Sequence, residues 1–158
     1  MAKIINSVRI GVIGCGRVAQ HYKKIFNSGE IKNFNLVGFC DILIDKSREF
    51  AEFFDSNFYE DYELMLAEEK PDLVIILTPS GFHYHHTKTA LEFNCNVLCE
   101  KPISMLPKEA QELQKLAAKK NLMYGTAFQN RLNPAIKVLE KALKKDRFGK
   151  IITATIRL

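Results

Sequence analysis

The first apolar run of the chain ends in a tight turn rich in glycine, Val8-Arg-Ile-Gly-Val-Ile-Gly14-Cys15-Gly16-Arg17-Val18-Ala19. It reads as a strand, a sharp turn at Gly14 and the start of a helix. Gly16 removes the Cβ that would block a bulky anion, and Ala19 allows the helix to pack closely on the strand. The backbone from Gly14 through Cys15, Gly16, Arg17 and Val18, with the positive end of the helix dipole behind it, suits a dinucleotide pyrophosphate. Such turns also occur in sheets that bind nothing. Other loops on the same edge must decide between the two readings.

Four further loops carry polar residues at strand ends. Asp41 closes the second apolar run, where a dinucleotide fold places the acid that holds the adenosine ribose hydroxyls. A carboxylate there repels the extra phosphate of NADP and favours NAD, whereas its plainer role is a capping Asp in a turn. Thr78-Pro79-Ser80-Gly81-Phe82-His83 follows the fourth strand, and its small and turn-forming residues allow close approach of a ribose or phosphate. Of His83, His85 and His86, only His83 and His86 share a helix face, so a metal is not expected.

Glu100-Lys101-Pro102 follows the fifth strand. The Lys-Pro bond is a candidate cis peptide, and a lysine aimed inward beside a nicotinamide would polarise a hydroxyl or carbonyl and stabilise developing negative charge. The alternative is a surface lysine in a turn. After the sixth strand, Gln129, Asn130 and Arg131 offer amides and a guanidinium for a carboxylate, a phosphate or the nicotinamide ribose, or else solvate the loop and cap a helix.

These loops need a scaffold that brings strand ends to one edge. The chain alternates strands near 8–13, 35–41, 58–59, 72–78, 96–100 and 122–128 with helices: one near 17–28, one after Asp45 with Phe50 to Phe54, a short one marked by Tyr62, Met65 and Leu66 that ends before Pro71, one near 82–93, one opened by Pro107 with Ala110, Leu113, Leu116 and Ala117 inward, and one from Pro134 to Lys145. Asp45 is the expected cap of the second helix, and Asn133-Pro134 has the form of an N-cap and first residue. Connections this short leave only right-handed βαβ units, and the continuous apolar run at 72–78 suits a strand covered on both faces. The expected fold is α/β, a doubly wound, mostly parallel Rossmann sheet. Residues 150–158 alternate differently, as a strand with one apolar face that needs another sheet to join. That pattern divides the chain into a dinucleotide-binding domain over 1–148 and the start of a second, α+β domain over 149–158.

Composition excludes several classes. With 158 residues, 47% hydrophobic and 26% charged, the chain is sized for one well-packed domain. No apolar run approaches the roughly 20 residues that span a bilayer, and the first residues lack a signal-peptide pattern. A cytoplasmic location with no membrane partner is the expectation. The net charge of +5 is spread over several helices without a basic stripe or exposed aromatics, which argues against nucleic acid and for a smaller anion. Cys15, Cys40, Cys95 and Cys99 lie in or beside buried strands without paired spacing, as reduced core thiols do.

Together these motifs resemble one family, glucose-fructose oxidoreductase, inositol dehydrogenase and related NAD(P)-dependent sugar oxidoreductases. The Glu100-Lys101-Pro102 triplet is the most specific mark, beside the glycine turn, Asp41 and Thr78 to His83. Ser80 stands where many members have Asn. Gln129-Asn-Arg-Leu-Asn-Pro-Ala135 resembles the branch that oxidises the 3-hydroxyl of UDP-N-acetylglucosaminuronic acid in polysaccharide biosynthesis.

The resemblance implies NAD as cofactor, a nucleotide-sugar substrate, Lys101 as catalytic residue on the reacting oxygen and Arg131 beside it at the substrate. It implies cofactor contacts from the glycine turn, Asp41, Thr78, Pro79, Ser80, His83, Glu100, Lys101, Pro102, Gln129 and Asn130. It also implies a second, antiparallel-sheet domain that carries a catalytic His and joins subunits into a homo-oligomer, so that the present chain alone binds NAD(H) without turnover. The competing function is a non-catalytic module that senses NAD(H), which would not need the lysine.

Overall fold

A computed structural model describes residues 7–155. Strands and helices alternate as β1 (Val8–Ile13), α1 (Arg17–Asn27), β2 (Phe34–Cys40), α2 (Ile44–Phe54), β3 (Asn57–Tyr59), α3 (Tyr62–Glu69), β4 (Leu73–Ile76), α4 (His83–Glu92), β5 (Asn96–Glu100), α5 (Pro107–Lys120) and β6 (Tyr124–Ala127). The strands form one sheet in the order β3-β2-β1-β4-β5-β6. Every pairing is parallel, so the sheet is wholly rather than mostly parallel.

Side-chain alternation along the central strands explains the layering. In β1, Ile10 and Val12 face one core with Ala19 and Phe26 of α1 and Phe50 and Ala51 of α2. Ile13 faces the opposite core, with Met65 and Leu66 of α3, Ala90 and Leu91 of α4 and Leu113 and Ala117 of α5. In β4, Ile75 joins the first core while Val74 and Ile76 join the second, which is why its sequence is apolar at every position. Each such Val or Ile contributes about 1.5–3 kcal/mol on leaving water. The chain leaves β1 towards β2 on one side and returns to β4 on the other. The carboxyl ends of β1 and β4 therefore flank the switch point at which open α/β sheets hold ligands.

Local differences from the sequence expectations have physical causes. Asp45 does not cap α2; it lies inside the first turn, where it accepts from Arg48 at 3.0 Å, and the cap position is Leu43. Regular β4 stops at Ile76, although Leu77 N–H still donates to Ile13 O at 2.8 Å, and a 3-10 turn at Ser80–Phe82 precedes α4.

A second unit runs from Phe128. Within it, a 3-10 turn at Gln129–Leu132 leads into α6 (Pro134–Lys144), whose N-cap Asn133 accepts from Ala135 N–H at 2.9 Å. Residues 151–155 have no regular secondary structure, and Ile152 is 91% exposed. Of the strand expected over 150–158, residues 151–155 form none among the described residues; residues 156–158 lie outside the described residues.

Candidate dinucleotide-binding site

The glycine turn leaves β1 with Gly14 at φ +97°, a conformation L side chains rarely adopt. A Cβ there would lie 2.8 Å from Thr78 N and 2.9 Å from Leu77 C, both backbone atoms, so only glycine lets the β1 and β4 loops meet. Gly16 differs. A Cβ on it would meet no protein atom within 4 Å, and the space in front of it opens into a crevice. Gly16 is also the N-cap of α1, which has no side-chain cap and no acidic residue in its first turn. An uncapped, acid-free helix start facing open space fits an anion. Ala19 is 1% exposed against the sheet, so its part is packing rather than ligand contact.

Asp41 takes the turn role that the sequence offers. Its Oδ2 accepts from Cys15 N–H at 2.8 Å and its Oδ1 from Leu43 N–H at 2.9 Å, so it staples the glycine turn to the turn after β2. It also lines the crevice. The Cys15 N–H is thereby committed to a carboxylate, and the donors left for a phosphate begin at Gly16. The Cys15 side chain is buried, with Sγ 3.8 Å from Cys40 O, and its thiol is pushed far up by burial and by Asp41.

The crevice holds about 310 Å³ between Gly14 and Gly16, the β2 end at Asp41, Ile42 and Leu43, Lys46 of α2, and Thr78, Pro79 and Phe82 beyond β4. Tyr62 and His86 complete an aromatic wall: the His86 ring lies 4.7 Å from that of Tyr62 and stacks at 5.9 Å on Phe82. His86 Nδ1 is hydrogen-bonded to Thr78 Oγ1 at 3.0 Å. Burial, with the nearby His83 and His85, holds the His86 ring down from 6.5 to about 4, so the wall is uncharged at neutral pH.

That depression links stability to pH. The unfolded chain protonates His86 near 6.5 and the folded chain only near 4. The stabilisation is therefore complete above pH 6.5 and is lost as pH falls towards 4, at up to about 1.4 kcal/mol per pH unit. Urea unfolding of His86→Gln over this range is expected to show a shallower acid loss than the parent chain. Parallel curves would remove His86 as the cause.

His83 takes a different place from the one expected. It is 1% exposed, with Nδ1 2.6 Å from Pro102 O and Nε2 2.7 Å from Thr78 O. Both ring nitrogens are engaged by backbone, so His83 ties the β4 loop to the β5 loop and does not present itself to a ligand. Ser80 opens the 3-10 turn and lies outside the crevice lining.

At the β5 end, Glu100 is half-buried; its Oε1 accepts from the Tyr22 hydroxyl at 3.0 Å and its Oε2 from Lys101 N–H at 3.3 Å. The Lys101–Pro102 peptide is cis. The Lys101 side chain is exposed, and its ammonium forms none of the ion pairs among the described residues. Gln129, Asn130 and Arg131 belong to the second unit, where Arg131 N–H donates to Phe128 O at 3.0 Å.

Among the crevice-lining residues, sequence reasoning missed Ile42, Leu43, Lys46 and Tyr62, and gave Phe82 and His86 no place in an aromatic wall. A usable signal was present. Ile42 and Leu43 are aliphatics placed directly after a strand, where a turn is normally polar, and they remain 82% and 54% exposed.

A family model described as "Oxidoreductase family, NAD-binding Rossmann fold" matches residues 8–128. D-glucoside 3-dehydrogenase of Escherichia coli is 31% identical over 153 residues, covering 96% of this chain and 43% of that enzyme. UDP-N-acetylglucosamine 3-dehydrogenase of Acidithiobacillus ferrooxidans is 27% identical over 135 residues, 85% of this chain and 41% of the enzyme. The WlbA dehydrogenase of Chromobacterium violaceum, solved in complex with NADH and UDP-GlcNAcA, superposes with a TM-score of 0.87 at 27% identity, covering 96% of this chain and 43% of that one. The chain thus spans about two-fifths of the length of these relatives. With an open Gly16, an uncapped helix start and an acid at the β2 end gathered around one crevice, and with the match over 8–128, the chain belongs to the Gfo/Idh/MocA oxidoreductase family with the NAD-binding Rossmann fold.

Proposed function

We propose that this chain is the dinucleotide-binding part of a sugar dehydrogenase that prefers NAD to NADP and oxidises a ring hydroxyl, the 3-hydroxyl of UDP-N-acetylglucosaminuronate. The observation that carries the reading is the pairing of the crevice with a lysine at the next loop of the same sheet edge, tied to it through His83. A module that only senses NAD(H) has no use for that lysine. The 3-dehydrogenase relatives and the UDP-GlcNAcA bound by the WlbA enzyme support the position oxidised and the substrate class.

The residues divide the work by place. Gly16 and the α1 start receive the pyrophosphate, Asp41 the adenosine ribose hydroxyls, and the uncharged wall of Tyr62, Phe82 and His86 the adenine. NAD, when bound, accepts the hydride. Lys101 holds the oxygen of the reacting hydroxyl, a second domain supplies the proton acceptor and most sugar contacts, and the intact enzyme assembles through that domain.

Asp41 and Lys46 line the same crevice with opposite charge, which makes cofactor choice the direct test. Titration with NADH and NADPH, followed by nicotinamide fluorescence, is expected to show preference for NADH. Asp41→Ala removes the repulsion of a 2′-phosphate and leaves Lys46 to attract it, so the NADH:NADPH preference should fall about tenfold or more. Because the same change unties the glycine turn from the turn after β2, affinity for both forms should also drop. Equal binding of both by the parent chain, or a preference that Asp41→Ala leaves intact, would overturn the assignment.

A further inference from the structure

Tyr22 lies on α1, in the turn of helix after the one that begins at Gly16, and it reaches across to the end of β5. Its ring packs on Phe26 with centroids 6.2 Å apart, and its hydroxyl donates to Glu100 Oε1 at 3.0 Å. The other oxygen of the same carboxylate accepts from the backbone N–H of Lys101 at 3.3 Å. Burial and the facing carboxylate both push the Tyr22 hydroxyl well above the usual phenol range, so it stays a donor throughout ordinary pH. A neutral donor on a half-buried carboxylate is a charge-assisted bond, among the stronger side-chain contacts.

We infer that Tyr22 is a positioning residue for the nicotinamide end of the site: it fixes the Glu100 carboxylate and, through it, the backbone of Lys101. The inference rests on the dinucleotide reading above. Its consequence is that one rigid element sets both ends of the cofactor, because the helix whose first turn faces the pyrophosphate also aims the loop that bears the lysine. Tyr22 touches neither reacting atoms nor phosphates; it acts through Glu100.

A helix-packing role and a positioning role separate in the choice of ligand. ADP carries adenosine and both phosphates but no nicotinamide riboside, so it reads the crevice alone, whereas NADH reads both ends. Calorimetric titration of the 158-residue chain is expected to show Tyr22→Phe weakening NADH about tenfold while ADP binding stays within about twofold. The phenyl ring keeps the contact with Phe26, so the chain should stay folded with a melting temperature only a few degrees lower, the loss of one hydrogen bond. On a Glu100→Ala background, Tyr22→Phe should cost NADH nothing further, since its acceptor is already gone. Equal losses for ADP and NADH would show that Tyr22 serves the helix and overturn the inference, as would no loss for either. A parent chain that binds ADP but gains nothing from the nicotinamide half overturns the inference and leaves the crevice reading standing. A parent chain that binds neither overturns both.

Discussion

Gly14→Ala is expected to unfold or nearly unfold this chain, while Gly16→Ala, two residues away, should leave it folded and unable to hold a dinucleotide. At Gly14 two costs add. A side chain at φ +97° is strained by about 1–3 kcal/mol. Its Cβ would also press on Thr78 N at 2.8 Å and Leu77 C at 2.9 Å, backbone atoms that cannot rotate away, for a similar further amount of about 1–3 kcal/mol. The sum is a large part of the roughly 5–15 kcal/mol that holds a domain together.

At Gly16 a Cβ meets no protein atom, and the loss of a glycine N-cap costs about 1 kcal/mol or less. In the function proposed above, what that Cβ meets is the diphosphate. NADH affinity should fall by a factor of about 100, a clash of a few kcal/mol at the point of closest approach. Melting curves and NADH titrations of the two variants, side by side, check both halves. If Gly16→Ala bound NADH like the parent chain, the pyrophosphate would not lie over this turn.

The two glycines also show what was legible in the sequence. The sharp turn at Gly14 and the missing Cβ at Gly16 were readable from the spacing, and the structure shows the first crowded by backbone and the second open. The strand and helix order was equally readable: β4 is apolar at each of Leu73, Val74, Ile75 and Ile76 because its two faces supply two cores, and a strand with a single buried face would have alternated.

Partners across the fold were not legible. Nothing local says that both ring nitrogens of His83 are taken by Thr78 O and Pro102 O, or that the Tyr22 hydroxyl, which on a helical wheel is one more apolar position, ends on Glu100. Asp41 illustrates the same limit. Its type and place at the end of β2 point to a ribose, while its bond to Cys15 N–H depends on how the β1 turn folds back over β2.

The largest effect on chemistry is expected at Lys101. Its ammonium is exposed and unpaired among the described residues, while the peptide that carries it is held on two sides: by Glu100 at its N–H and by His83 at the Pro102 carbonyl. A fixed backbone under a free charge is what orientation of a transient partner requires, since a structural lysine would be paired and a solvating one would not be anchored.

In the full dehydrogenase proposed above, Lys101→Ala should therefore lower turnover about 100- to 10,000-fold, the range of a positioned proton-transfer or charge-stabilising group. Binding should report the opposite. The alanine keeps the loop backbone that Glu100 and His83 hold and removes only the ammonium, so NADH affinity is expected to stay within about threefold, a change below 1 kcal/mol, and the melting temperature to stay put. Lys101→Arg keeps the charge but spreads it over a planar fork, so it should recover only part of the rate. Steady-state kinetics set beside NADH titrations read these outcomes. Unchanged turnover would return Lys101 to the surface, and a parallel collapse of NADH binding would make it a cofactor clamp rather than the group that holds the reacting oxygen.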